Sequence, residues 1–154
     1  MGLGNLPEAE AELNGIQAQF QDHPDVLELR WALCAERRDW VTALPLATRL
    51  VEADPDRSSG WLHQAYALRR VPQGGLRAAW DALLPAFALF PKESIISYNL
   101  ACYACQLGRL DDARQWLKKA LKVGDKERTR AMALADPDLQ PLWPELGKAG
   151  DRKA

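Results

Sequence analysis

Two cysteines, Cys102 and Cys105 in the stretch CYAC, are the arrangement in this sequence that most directly suggests chemistry. A Cys-x-x-Cys pair serves thiol–disulfide exchange when it lies at a helix N-terminus, where the helix dipole lowers the pKa of the first thiol. It holds a structural zinc ion when two further ligands complete a tetrahedral site. The other candidate ligands in the sequence are Cys34, His23 and His63. Which interpretation applies depends on the elements that position the pair.

Other catalytic signatures are absent from the sequence. It contains no phosphate-binding loop, GxSxG nucleophile elbow, HExxH metal motif or GxGxxG dinucleotide loop. Asp111 and Asp112 form an acidic pair, but they follow a turn and open a helical pattern, where negative charge stabilises the exposed amide groups. We therefore predict that the protein is not an enzyme and carries no cofactor.

Composition and charge limit the possible partners. The 154 residues are 47% hydrophobic and include 20 basic and 21 acidic side chains, which gives a net charge of −1. A nucleic-acid-binding protein needs a basic face and a membrane span needs about 18 consecutive apolar residues, and the sequence shows neither. The first residues do not resemble a signal peptide, and three cysteines make no disulfide framework. We therefore expect a cytoplasmic protein that binds neither nucleic acid nor membrane.

A short signature that opens at a turn and ends in alanine occurs four times. The copies are GNLPEA, RDWVTA, GGLRAA and GRLDDA, and they start at residues 4, 38, 74 and 108, so the intervals are 34, 36 and 34 residues. Apolar residues follow each final alanine at four and at seven positions further on, which places all three on one helical face. We interpret these segments as the second helices of helical hairpins, whose first helices lie upstream of each turn. The alanines that end the copies are Ala9, Ala43, Ala79 and Ala113.

A period near 34 residues, two helices per unit, an Ala-x3-Leu-x2-Ala face and a closing proline together resemble the tetratricopeptide repeat (TPR) of the bacterial type. The copy YNLACYACQLGRLDDARQWLKKAL at 98–121 matches the family pattern best. The resemblance implies an all-α fold, a right-handed superhelical stack of antiparallel helical hairpins (a TPR-like α-solenoid). We expect one domain over residues 1–147 and a polar tail at 148–154. Within the domain we expect an N-terminal half repeat at about 4–22, repeats at about 24–57, 58–93 and 94–125, and a C-terminal cap at about 126–147 that begins with a helix at about 126–135.

In solenoids of this kind the first helices line a concave groove that binds partners. The groove-facing residues are those on the side of each first helix opposite its packing face. The resemblance therefore predicts an adaptor or scaffold that binds an unidentified protein or an extended peptide segment. The expected contact residues are Glu28, Ala32, Glu36, His63, Tyr66, Arg69, Arg70, Tyr98, Asn99, Cys102 and Gln106.

The resemblance does not extend to one known binding mode of the family. Members that hold chaperone C-termini use a clamp of lysines and an arginine around two asparagines. Here Asn99 stands at one asparagine-like position, but Glu28, Ala32 and Ile95 stand at other clamp positions. The acidic first unit and the basic second unit instead suit an extended segment with charges of both signs.

Two alternative functions stay open. The apolar side of the N-terminal half unit, formed by Leu13, Ile16 and Phe20, favours a homo-oligomerising assembly protein. The other alternative is a thiol or metal function of Cys102 and Cys105, but the repeat pattern places both in the middle of a first helix. Because closely packed helices favour small side chains, we predict that CYAC reflects packing and that the protein holds no metal.

Overall fold

Helices form the regular secondary structure of the part of the chain that the structure describes. The structure, a computed structural model, describes the backbone of residues 5–151 and the side chains of residues 5–147. Two short 3₁₀ helices, Ala18–Phe20 and Pro137–Leu142, lie between α1 and α2 and between α8 and α9. The α-helices are α1 Leu6–Asn14, α2 Pro24–Glu36, α3 Trp40–Ala53, α4 Ser58–Arg70, α5 Leu76–Leu89, α6 Ser94–Gln106, α7 Leu110–Val123, α8 Lys126–Ala135 and α9 Trp143–Asp151.

Side chains before the first turn fix where several helices begin. The side chain of Asn5 accepts a hydrogen bond from the amide of Glu8 at 3.1 Å, and Asp125 accepts one from the amide of Arg128 at 2.9 Å. The backbone amides of a first helical turn have no intrahelical partner, so each such bond stabilises a helix start. The predicted helix at 126–135 is α8.

Contacts divide the chain into two compact units, one up to Ala79 and one from Trp80 onward. In the first unit α2 packs against α1 and α3, and α3 packs against α4. Ala43 and Ala47 of α3 are fully buried, and small side chains at these positions let neighbouring helices approach closely. The residues of this core include Leu27, Trp31, Leu46, Leu50 and Ala67.

In the second unit α6 packs against α7, and the segment Pro137–Leu142 packs against α6 and α8. Leu139 and Leu142 of this segment are 0% and 1% exposed. Trp143 donates a hydrogen bond from its indole nitrogen to the carbonyl oxygen of Ala133 at 2.9 Å. The segment after α8 is thus folded back onto the last pair of helices.

Several expectations lie outside these observations. The side chains of the predicted polar tail at 148–154 lie outside the described residues, although the backbone of residues 148–151 continues α9. The assignment of one domain with three repeats and a half repeat stays a prediction. Within residues 5–151, no helix combines the length and the apolar character that are needed to cross a membrane.

Candidate functional site

The first helices of the three expected repeats are equal in length, so their residues can be compared position by position. Helices α2, α4 and α6 each contain 13 residues. Residues four apart lie on one face of a helix. At the ninth and thirteenth positions stand Ala32 and Glu36 in α2, Tyr66 and Arg70 in α4, and Cys102 and Gln106 in α6.

The first unit contains an open cavity of about 670 Å³ between parts of α2, α3 and α4. We call it the arginine–aromatic cavity after the residues that line it. Three of the residues predicted to contact a partner, Glu36, Tyr66 and Arg70, are among them. The lining consists mainly of Trp31, Trp40 and Tyr66, of Arg38 and Arg70, and of Glu36.

The aromatic rings of this cavity form one packed cluster. The ring centroids lie 6.3 Å apart for Trp31 and Trp40, 6.1 Å for Trp31 and Tyr66, and 5.3 Å for Trp40 and Tyr66. The guanidinium of Arg70 lies over the Tyr66 ring, 3.5 Å from its centroid, and 5.3 Å from that of Trp40. Its Nη1 also donates to the carbonyl oxygen of Tyr66 at 2.9 Å. The cation is therefore held at the cavity by both aromatic faces and the backbone.

Arg38 lines the same cavity from an unusual backbone conformation. Its φ of 56° is in the left-handed region, and the corresponding position of the repeat signature at residue 108 is a glycine with φ 80°. An L-residue in this region costs about 1–2 kcal/mol relative to glycine, which has no Cβ. The sequence thus retains a guanidinium at a turn where glycine would be more stable.

The floor of the cavity carries a buried donor without a hydrogen-bond partner. Trp31 is 9% exposed, and its indole nitrogen has no partner among the described residues. One face of Trp31 is covered by the imidazole of His63, whose centroid lies 3.9 Å away with the two planes within 15°. Burial lowers the pKa of His63, and the carboxylate of Glu28, 3.7 Å from Nε2, partly opposes that shift. His63 therefore packs against the cluster, with 25% of its side chain exposed.

Glu28, another predicted contact residue, takes part in a local ion-pair network. Arg57 lies 3.8 Å from its Oε1 and also pairs with Asp25 at 3.0 Å. Ser59 donates its hydroxyl hydrogen to the same carboxylate. The carboxylate of Glu28 is thus directed toward side chains at the start of α4.

The predicted contact residues of α6 are in contact with the chain itself. Tyr98 donates its phenol hydrogen to Oδ2 of Asp136 at 2.8 Å, and the thiol of Cys102 lies 3.6 Å from the same oxygen. Gln106 donates from Nε2 to the carbonyl oxygen of Asp138 at 2.9 Å. Tyr98 and Cys102 are each 4% exposed. Burial, and then the hydrogen bond to Asp136, raises the pKa of Tyr98 far above its usual value.

The other predicted contact residues, Ala32, Arg69 and Asn99, are partly buried. The assignment of the whole set as a partner-binding surface stays a prediction. The structure brings Glu36, Tyr66 and Arg70 together at one cavity, and it places Tyr98, Cys102 and Gln106 against the segment 136–138.

The structure also shows which groups surround Cys102 and Cys105, the two cysteines of the CYAC motif. Sγ of Cys102 and carboxylate oxygens of Asp136 and Asp138 lie within 4.8 Å of one another, a donor set that could approach a cation. Both oxygens of Asp136 already accept hydrogen bonds, from Tyr98 on one side and from the amide of Asp138 on the other. Burial, followed by the charge of Asp138, raises the pKa of Cys105, so its thiol stays protonated at neutral pH. These contacts attach the C-terminal segment to α6 and do not require a metal.

Sequence reasoning missed four residues that line the cavity, which are Trp31, Ala35, Arg38 and Trp40. Trp31 is nine-tenths buried, but part of the residue still lines the cavity. A usable signal was Arg38, because it opens a repeat copy at a position where the three other copies have glycine.

Comparisons with known proteins bear on both the fold and the family. Tetratricopeptide repeat protein 36 of Mus musculus is 32% identical over 144 residues, which cover 89% of this chain and 75% of that protein. The protein of the same name from Bos taurus is 28% identical over 144 residues, with 89% and 74% covered. The crystal structure of MamA superposes with a TM-score of 0.67 at 15% identity and covers 99% of this chain and 97% of its own. No protein-family model matches the sequence. The likeness to MamA and the helices described above confirm the predicted all-α, TPR-like fold class.

Proposed function

Because the chain belongs to the tetratricopeptide repeat family, we propose that it is a non-catalytic interaction module that binds a peptide or protein segment at the arginine–aromatic cavity. The observation that carries this proposal is the collection of two tryptophans, a tyrosine and two arginines around one open cavity. The few residues that dominate the binding free energy at protein interfaces are enriched in Trp, Tyr and Arg. Membership of the family supports the class of function, and the residues that line the cavity support its location.

Solvent exposure distinguishes Tyr66 at this cavity from Tyr98, another predicted contact residue. Tyr66 is 40% exposed, whereas Tyr98 is 4% exposed and covered by the chain's own segment at Asp136. A large aromatic side chain that is partly open to solvent can bury further apolar area when a partner binds. The proposed contact surface is therefore narrower than the groove predicted from sequence, and it centres on α4 and the turn before α3.

One group of titratable side chains near the cavity has the residue types of a catalytic triad but a different geometry. Ser59, Glu28 and His63 resemble the members of a catalytic triad by residue type. However, Ser59 and His63 both approach the carboxylate of Glu28, so the serine hydroxyl donates to the acid and not to the imidazole. A nucleophilic serine needs the imidazole as its direct base. This geometry supports an ion-pair network and a module without catalytic activity.

The proposal is tested by capture of partners from cell extract and quantitative mass spectrometry. The intact chain is compared with Tyr66→Ser/Arg70→Gln and with Lys122→Gln, a matched charge change at the exposed end of α7. We expect the double variant to lose the proteins that the intact chain and Lys122→Gln retain in common. If all three forms capture the same proteins in equal amounts, the cavity is not the binding site.

A second candidate function is supported by a separate surface. Residues of α1 and α2 line a mainly apolar groove of about 430 Å³, and Leu29 within it is 51% exposed. We propose, as the alternative, that a second copy of the chain covers this groove, because its lining is mainly apolar and half of Leu29 is open to solvent. Sedimentation equilibrium tests this: a monomer at every concentration would exclude it, and dimers that Leu29→Glu dissociates would support it.

A further inference from the structure

We propose that the segment bound at the arginine–aromatic cavity is extended and acidic, and that Arg38 and Arg70 hold an aspartate or glutamate side chain of that segment. This inference rests on the proposed function and specifies the chemistry of the partner. Three independent features support it: the way in which α6 holds the chain's own C-terminal segment, the residues at the matching positions of α4, and the charge of the cavity lining.

The second unit shows how a first helix of this chain holds an acidic segment. Three side chains of α6, at its fifth, ninth and thirteenth positions, approach the segment that starts at Asp136 as hydrogen-bond donors. The acceptors are the carboxylate of Asp136 and the backbone carbonyl of Asp138. Asp136 itself is extended, with φ −96° and ψ 112°. The donor residues are Tyr98, Cys102 and Gln106.

Two of the three matching positions of α4 also carry hydrogen-bond donors, whereas the fifth position is Leu62. Tyr66 and Arg70 stand at the ninth and thirteenth positions, where α6 has Cys102 and Gln106. A guanidinium forms charge-assisted and bidentate bonds to a carboxylate, which a neutral amide cannot. In α2 the thirteenth position is Glu36, which would repel a carboxylate. Among these helices, α4 is therefore the one suited to an acidic segment from outside.

Charge and exposure at the cavity agree with this assignment. Its ionisable lining consists of Arg38, Arg70 and Glu36, so two positive charges and one negative charge leave a net charge of +1. Arg70 uses Nη1 to bind the carbonyl oxygen of Tyr66, and a guanidinium has five N–H donors in total. The remaining donors and the exposed Arg38 can face a ligand carboxylate. The left-handed backbone of Arg38 is a local cost that a binding role explains.

The test uses fluorescence anisotropy with a defined probe. The probe is a fluorescein-labelled peptide with the sequence of residues 135–144, ADPDLQPLWP, and the control peptide has asparagine in place of both aspartates. Both are titrated with the full chain, in which the face of α6 is already covered by the same segment. The protein variants are Arg70→Gln, Arg38→Gly and, as a matched control, Lys122→Gln. Arg38→Gly removes the guanidinium and at the same time relieves the left-handed conformation, so it cannot lose binding through unfolding.

We expect the labelled peptide to bind the full chain. The asparagine peptide should bind with an affinity about tenfold lower, because a charge-assisted hydrogen bond is lost. Arg70→Gln and Arg38→Gly should weaken probe binding to a similar extent, while Lys122→Gln leaves it unchanged and Arg38→Gly raises the unfolding midpoint. Equal affinity for the two peptides, or equal loss in Lys122→Gln, would overturn the inference. If both peptides bind equally and both lose affinity in Tyr66→Ser, the cavity binds peptides without charge selection, and only the proposed function survives. If neither peptide binds, the inference fails, and the partner capture decides the proposed function separately.

Discussion

Substitution of Leu139 by alanine tests whether the C-terminal segment is an integral part of the second unit. Leu139 is 0% exposed and lies in the segment Pro137–Leu142, which packs against α6 and α8. Its side chain helps to hold Asp136 and Asp138 against Tyr98 and Gln106. We expect Leu139→Ala to destabilise the fold strongly, because the cavity left behind lies between several elements.

The magnitude follows from the buried side chain. Leu→Ala removes about three methylene equivalents, and at about 0.8 kcal/mol each the lost transfer free energy is about 2.4 kcal/mol. The cavity that remains raises the loss to about 3–4 kcal/mol, within the range of about 2–5 kcal/mol for buried leucines. With a urea m-value of about 2 kcal/mol per molar, the unfolding midpoint should fall by about 1.5–2 M.

The assay is urea unfolding followed by far-ultraviolet circular dichroism, with tryptophan fluorescence as a second probe. Leu134→Ala is the matched control, because Leu134 of α8 is only five residues away in sequence but is 37% exposed. The control should lose less than about 1 kcal/mol. If Leu139→Ala and Leu134→Ala shift the midpoint equally, the segment does not pack as described.

Three further predictions concern stability. Gly74→Ala should destabilise the fold by more than about 1 kcal/mol in urea unfolding, because a Cβ there would lie 1.9 Å from the carbonyl oxygen of Leu68, whereas Gly147→Ala meets no atom within 4 Å and should be nearly neutral. Burial raises the pKa of Tyr98, so the folded state holds the phenol proton more tightly than the unfolded state, and the unfolding free energy should decrease as the pH rises above about 10. Burial lowers the pKa of His63, so the unfolded chain binds a proton more readily, and the unfolding free energy should decrease as the pH falls below about 6.5.

Each of these predictions has a contradicting outcome. Equal midpoints for Gly74→Ala and Gly147→Ala would refute the close approach at Gly74. Alkaline loss of stability that persists unchanged in Tyr98→Phe would assign that loss to other groups. For the imidazole, the comparison is with His63→Gln: an acidic slope of the same size in that variant would show that His63 is not its source.

The repeat period predicted the elements well, because their signal is local. Of the four alanines that end the repeat signature, Ala43, Ala79 and Ala113 are fully buried, and Ala9 is partly buried. A residue at such a position must be small for a neighbouring helix to approach, and this requirement is visible in the sequence as a fixed spacing. Helix α8 was predicted at its observed bounds, although its large apolar residues Met132 and Leu134 are exposed and its buried residues are Thr129 and Ala133.

The candidate site was only partly predictable, because it depends on contacts between distant residues. Helical phase placed Tyr98 and Gln106 on one face of α6, but it could not show that residues 136–138 return to cover that face. Phase likewise identified Tyr66 and Arg70 as neighbours on α4. The inclusion of Trp40 depends on how α3 packs against its neighbours, which a single sequence does not encode at the level of individual side chains.

The most direct test of the proposed function is hydrogen–deuterium exchange of the full chain with and without a partner recovered in the capture experiment. We predict that partner binding slows amide exchange in residues 31–40 and 62–70, which contain the arginine–aromatic cavity. In Arg70→Gln the partner should not slow exchange in these residues. Amides in α8 and in the segment 137–142 should exchange at unchanged rates. Protection confined to α1 and α2, or to the second unit, would contradict the proposal that the cavity is where this protein binds its partner.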